Sequence, residues 1–242
     1  MGKSLIQQKR GKGGPRYRAP SFNYKGKVGY GRIENTAPSN AKILELIHSS
    51  GHSAPLMEVE YSNGNSVLLP APEGVREGDS IEVGNNTEEA LSKPGTILLL
   101  KDIPEGASIY NIESNPGDGG KFVRCSGSSA KIVTKGEDGI VILLPSSKKK
   151  TFNPGCRATL GVIGGSGRTE KPFLKAGTRY FAMTEKNKVW PKVSGTSMNS
   201  VNHPFGGRSS HAKGIPTQSS RSAPPGRKVG KIAPKRTGRR KR

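Results

Sequence analysis

The chain has 242 residues, with 40 Lys and Arg against 18 Asp and Glu, a formal net charge of +22. Only 31% of its residues are of apolar type, too few for one large core along the whole length. No apolar run approaches the roughly 18 residues of a membrane helix, and Leu5-Ile6 is no signal-peptide core. Cys125 and Cys156, with 30 residues between them, cannot make a disulfide framework, which points to a reducing cytoplasm.

The first segment, residues 1–34, is a basic extension. Its first 32 residues hold nine Lys and Arg and no acid. In Gly11-Lys12-Gly13-Gly14-Pro15-Arg16-Tyr17-Arg18 cations alternate with glycine, proline and an aromatic ring, a pattern that interrupts helices and suits close approach to phosphates. Tyr17, Phe22 and Tyr24 are candidates to stack on exposed bases.

Residues 35–86 read as a first β barrel. Strand-like runs at Lys42–Ile47, Leu56–Tyr61, Ser66–Leu69 and Ser80–Val83 are separated by turn signals such as Asn63-Gly64-Asn65. Met57-Glu58-Val59-Glu60-Tyr61 alternates apolar and charged residues, so one face is buried. His48 and His52 have the spacing of zinc ligands on a helix. Gly51 and the strand pattern oppose a helix and no third ligand follows, so no metal is expected.

Asn85-Asn86-Thr87-Glu88-Glu89 breaks the strand pattern and marks a boundary. Residues 87–168 read as a second barrel, with strands at Thr96–Leu100, Ser108–Ile112, Lys131–Thr134, Ile140–Leu144 and Arg157–Val162. Many short strands with tight turns favour barrels over a parallel sheet, a mostly β fold. Cys125 and Cys156 read as small buried or free thiols. Gly161 to Thr169 lacks the glycine and lysine of a phosphate loop and reads as a glycine-rich turn or an RNA-contact loop.

Residues 169–242 read as a helix over Lys171 to Thr184 followed by an extended basic arm. From residue 186 onward there are 15 Lys and Arg and no acid, whereas residues 33–185 hold 16 Lys and Arg and all 18 acids. Acid-free arms of this length repel themselves in free solution, and a polyanion supplies the missing countercharge through counterion release. His203 is the one tempting catalytic residue, in Met198-Asn199-Ser200-Val201-Asn202-His203-Pro204-Phe205-Gly206-Gly207. A general base needs an orienting partner, and no acid follows Glu185. The loop therefore reads as an RNA contact, with His203 bonding to a phosphate or base.

That loop resembles the signature loop of the universal large-subunit ribosomal protein family called L-two. Asn111-Ile112-Glu113, Pro116-Gly117-Asp118-Gly119-Gly120-Lys121 and Arg124-x-Ser126-Gly127 resemble the family's central turn. Arg157-Ala158-x-x-Gly161 resembles the end of its second barrel. Pro225-Gly226-Arg227-Lys228-Val229-Gly230 and Arg236-Thr237-Gly238-Arg239 resemble the C-terminal arm of its archaeal and eukaryotic-cytosolic branch. The resemblance implies an OB-fold barrel followed by an SH3-like barrel, with basic extensions entering ribosomal RNA. It also implies a ribosome-bound, cytoplasmic protein that binds large-subunit ribosomal RNA and neighbouring ribosomal proteins, touches the small subunit, and lies near the peptidyl-transferase centre. There His203 would have a positioning role. Ser200, Asn202 and Arg208 depart from the family's usual proline, acid and glycine. Losing the acid weakens acid–base chemistry at His203, and Arg208 adds a cation.

The chain is accordingly expected to be a structural RNA-binding component, not an enzyme, without cofactor, metal, membrane contact or homo-oligomer. The expected RNA contacts are Arg16, Arg18, Lys25, Lys27, Arg124, Arg157, His203, Arg208, Arg227, Lys228 and Arg236. The alternative is a transient translation or transcription factor that uses the same barrels.

Overall fold

The computed structural model describes residues 2–31, 38–136, 139–208 and 215–235. Among them are helices α1 (Ile6–Gly11), α2 (Glu88–Ser92) and α3 (Ala176–Glu185). The strands are β1 (Ser39–Ile47), β2 (Leu56–Tyr61), β3 (Ser66–Pro70), β4 (Ser80–Val83), β5 (Ile97–Leu99), β6 (Ser108–Tyr110), β7 (Ala130–Gly136), β8 (Gly139–Leu143), β9 (Lys149–Phe152), β10 (Arg157–Leu160), β11 (Gln218–Ser219) and β12 (Lys231–Ile232). The fold is mostly β, as the short runs and tight turns imply. No helix among the described residues is long and apolar enough to cross a membrane. The chain forms two compact units, Ser21–Phe173 and a second made of Met1–Pro20 with Leu174–Arg242.

In the unit Ser21–Phe173, ten strands form one sheet in the order β3-β2-β1-β4-β5-β10-β6-β7-β8-β9. Every neighbouring pair is antiparallel except β4 and β5, which run parallel through Val83 and Ile97. Two apolar clusters fill consecutive halves. Ala41, Ile43, Met57, Val59, Leu69 and Ile81 pack in the first. Leu98, Leu100, Ile109, Ile132, Ile142 and Phe152 pack in the second. The alternation in β2 does what its period demands: Met57, Val59 and Tyr61 are buried and Glu60 is exposed. A bulge between Ile43 and Glu45 interrupts the register of β1 and leaves Leu44 and Leu46 exposed.

Three features differ from the sequence reading. The interruption at residues 85–89 contains the start of α2, capped where the Thr87 hydroxyl accepts from the Ala90 N–H. Lys149–Phe152 forms an edge strand in addition to the expected ones. Val28 and Tyr30, read as part of the N-terminal extension, are buried in this unit, with Val28 bridged to Leu68.

The second unit joins the two basic ends. Leu5, Phe205 and Val229 make a small shared core with Ile215 packed against it. β11 and β12 pair in parallel, and the Ser219 hydroxyl donates to the Val229 carbonyl at 2.6 Å. The helix expected over residues 171–184 is α3, which starts later because Pro172 lies in the expected first turn and Lys175 is still extended.

Candidate nucleic-acid interface

Charge divides between the two units much as it does along the chain. Ser21–Phe173 holds 17 Lys and Arg against 17 acids, so it is neutral. The unit built from both ends holds 23 Lys and Arg against one acid, Glu185, and therefore the whole net charge of +22. A field of one sign on that scale opposes its own compaction and favours a polyanionic partner.

Within the basic unit, the loop from Met198 to Gly207 closes on itself through backbone bonds. The Asn202 and His203 amides donate to the Asn199 carbonyl at 2.9 and 3.2 Å, and the Gly207 amide donates to the Met198 carbonyl at 3.2 Å. Gly206 is required sterically, because a Cβ there would press on the carbonyls of Met198 and Asn199. Phe205 anchors the loop in the small core beside Leu5 and Val229. Its amide donates to Nδ1 of His203 at 3.0 Å, so the other ring nitrogen carries the proton of the neutral ring. Burial holds the imidazole below its ordinary pKa of 6.5, in the neutral form. The ring faces a cleft of about 350 Å³ lined also by Lys3, Ser4, Gln8, Ser200 and Val201. This cleft offers a cation, hydroxyls and an imidazole N–H, the donor set that an RNA phosphate or base edge accepts from.

The remaining candidates of this unit are Arg16, Arg18, Arg208, Arg227 and Lys228. Arg16, Arg18 and Arg208 are exposed, and Nε of Arg18 donates to the Gly13 carbonyl at 2.8 Å, which fixes one edge of the guanidinium. Arg227 and Lys228 are half-buried, and Nη1 of Arg227 donates to the Ser219 hydroxyl at 3.4 Å. Arg236 lies outside the described residues.

The neutral unit treats its candidates differently. Lys25 and Lys27 are exposed on the segment leading to Tyr30. Arg157 points its guanidinium inward. Its Nε and Nη2 donate to Oε1 of Glu113 at 3.0 and 2.7 Å, and its backbone amide donates to Oε2 at 2.8 Å. The Glu113 side chain is fully buried and also accepts from the Gly117 and Gly119 amides at 3.3 and 3.1 Å, so one carboxylate fixes the turn from Pro116 to Gly120. The Arg157 guanidinium lies 5.2 Å from the centre of the Tyr30 ring. The Tyr30 hydroxyl is bonded to the Asn111 carbonyl and to Thr159, both at 2.7 Å. Arg124 donates to the carbonyls of Gly120 and Val28, both at 3.1 Å. The guanidiniums of Arg124 and Arg157 thus tie the basic N-terminal segment to the central turn. Glu113, the hub of this arrangement, stands inside a recognised motif, but nothing in a single sequence marks it as buried.

His52 is held by Ser49, its Nδ1 2.9 Å from the Ser49 hydroxyl, and packs edge-on to Tyr24. It serves this local contact. Phe22 is 87% exposed, which leaves its ring free for stacking.

Mostly β structure, a unit carrying all the net charge, and a histidine-bearing loop beside a cleft lined by Lys3 and Ser4 together define a protein built to bind a polyanion. The family model "Ribosomal Proteins L2, C-terminal domain" matches residues 93–226. The chain is 49% identical over 239 residues to the large ribosomal subunit protein uL2 of Halorubrum lacusprofundi, covering 99% of this chain and 98% of that protein. The uL2 of Methanothermobacter thermautotrophicus is 48% identical over 244 residues, the full length of both, and that of Methanopyrus kandleri 47% over 242. The chain belongs to the L2 family of ribosomal proteins, in its archaeal branch.

Proposed function

We propose that the chain is a structural, non-enzymatic constituent of the large ribosomal subunit that binds ribosomal RNA directly and works ribosome-bound in the cytoplasm. The observation that carries this reading is similarity over essentially the full length to proteins named as large-subunit components. The charge division supports it, since the Lys and Arg of the basic unit replace the counterions condensed on folded RNA and release them on binding. In this reading Arg16, Arg18, Arg208, Arg227, Lys228 and Arg236 meet phosphates, with Lys25 and Lys27 extending the contact. Arg124 and Arg157 act by holding the central turn in place. His203 is a positioning donor near the peptidyl-transferase region. Residues 35–86 and 87–168 are taken as successive OB-like and SH3-like barrels, and further surfaces contact neighbouring ribosomal proteins and the small subunit.

The test is a salt series of binding by the full chain to deproteinised large-subunit ribosomal RNA. Affinity falls linearly with salt on logarithmic axes, and Arg16→Ala reduces that slope by about 1. Binding that ignores salt, or a slope unmoved by Arg16→Ala and Arg208→Ala alike, contradicts the reading.

A further inference from the structure

The helix α3 is built in a way that the protein alone does not explain. None of its ten residues is buried, no side chain caps its N-terminus, and its first turn carries no acid. Gly177 weakens it further. An isolated helix of this length is marginal in water, and helices in proteins owe most of their stability to a packed face. Yet the apolar side chains of this segment face outward: Leu174 is 91% exposed, Phe181 67% and Tyr180 48%. The rings of Tyr180 and Phe181 stand edge to face, with centroids 5.6 Å apart. A pair of adjacent exposed rings on a helix with no buried face marks a surface that is covered in use.

The chemistry around the rings selects the partner. Residues 171–192 hold six Lys and Arg, at 171, 175, 179, 186, 188 and 192, against Glu185 alone. Arg179 already lies over Trp190, 5.5 Å from its ring centre. A protein groove that takes an amphipathic helix wants a continuous apolar stripe, and here cations bracket the aromatic pair on both sides along the chain. Aromatic faces set among cations are the arrangement that holds unpaired nucleobases, with the rings stacking on bases while ammonium groups meet the backbone.

We infer that Tyr180 and Phe181 form a stacking platform for unpaired bases of ribosomal RNA, flanked by Lys175, Lys186 and Lys188 as phosphate contacts. This rests on the RNA-binding reading above and adds a contact whose energy is not electrostatic.

That difference makes it separable by experiment. The full chain is titrated with deproteinised large-subunit ribosomal RNA over a salt series. Tyr180→Ala and Phe181→Ala each weaken binding roughly five- to 150-fold for each base they stack, with the salt slope unchanged. Phe181→Leu, which keeps the apolar surface and loses the π face, is as weak as Phe181→Ala, and Phe181→Trp restores affinity. In a Trp190→Phe background the tryptophan of Phe181→Trp is quenched when RNA is added, a readout that a merely structural role would not give. Lys186→Ala instead lowers the slope by about 1. Wild-type affinity in Phe181→Ala, or in Phe181→Leu, overturns the inference and leaves RNA binding by the chain standing. Unchanged RNA affinity with loss of a neighbouring protein from reconstituted subunits also overturns it, in favour of a protein partner. Failure of the unaltered chain to bind the RNA removes both readings.

Discussion

Glu113 shows how one side chain can hold a functional turn. Its carboxylate has no exposed surface and accepts five N–H groups, two from glycines of the turn and three from Arg157. Removing one member of a buried ion pair strands the other in low dielectric. Glu113→Ala is therefore expected to cost about 3–5 kcal/mol, read by urea unfolding of the full chain. A loss below about 1 kcal/mol would mean that water reaches the site and the pair is not buried in solution. The imidazoles give a second residue-scale expectation. Burial holds both His52 and His203 below 6.5 in the folded chain, so as pH falls the unfolded chain takes up protons first. Stability is then undiminished above about pH 6.5 and declines below it. His203→Gln flattens that decline in a series of unfolding midpoints, and an unchanged decline would place the titration elsewhere.

At the scale of elements, periodicity carried most of the information. Leu56–Tyr61 and Ser80–Val83 are strands over the very residues their patterns mark. Most other strands begin or end within one or two residues of the patterned run. β1 starts three residues early. Lys149–Phe152 has no alternation to read, because this edge strand buries only Phe152 and exposes Lys149, Lys150 and Thr151. Its Lys150 ammonium lies 4.1 Å from the centre of the Phe122 ring, a contact known only once the strand is paired. The bulge in β1 was equally silent, since Ile43-Leu44 reads as two apolar neighbours with no sign of which one turns inward. The structure separates them: Ile43 is fully buried and Leu44 is 42% exposed. Ile43→Ala should cost about 2–5 kcal/mol and Leu44→Ala less than about 0.5 kcal/mol in denaturant unfolding. Equal costs would mean that the bulge is misplaced and the register of β1 shifted.

At the scale of the whole molecule, the sequence displayed the charge and concealed its assembly. Two acid-free ends are visible by counting, and so is the neutrality of the stretch between them. That the ends share a core does not show, because Leu5 stands about 200 or more residues from Phe205 and Val229 along the chain and the three have no local signature. The interface candidates divide along the same line. The described candidates in the basic ends stay at or near the surface, while Arg124 and Arg157 turn inward to carbonyls and to Glu113. Only the buried carboxylate reveals that turn, and burial is a tertiary property.

The most direct test of a ribosomal constituent is to wash ribosomes from native extract in high salt, sediment the subunits through a magnesium-containing sucrose gradient, and quantify this chain in each fraction. Retention at one copy per large subunit is expected, because the many phosphate contacts and the packed surfaces that accompany them do not all release together. Recovery of the chain in the light fractions, with the large subunit otherwise intact, would contradict it and identify a factor that binds ribosomes transiently.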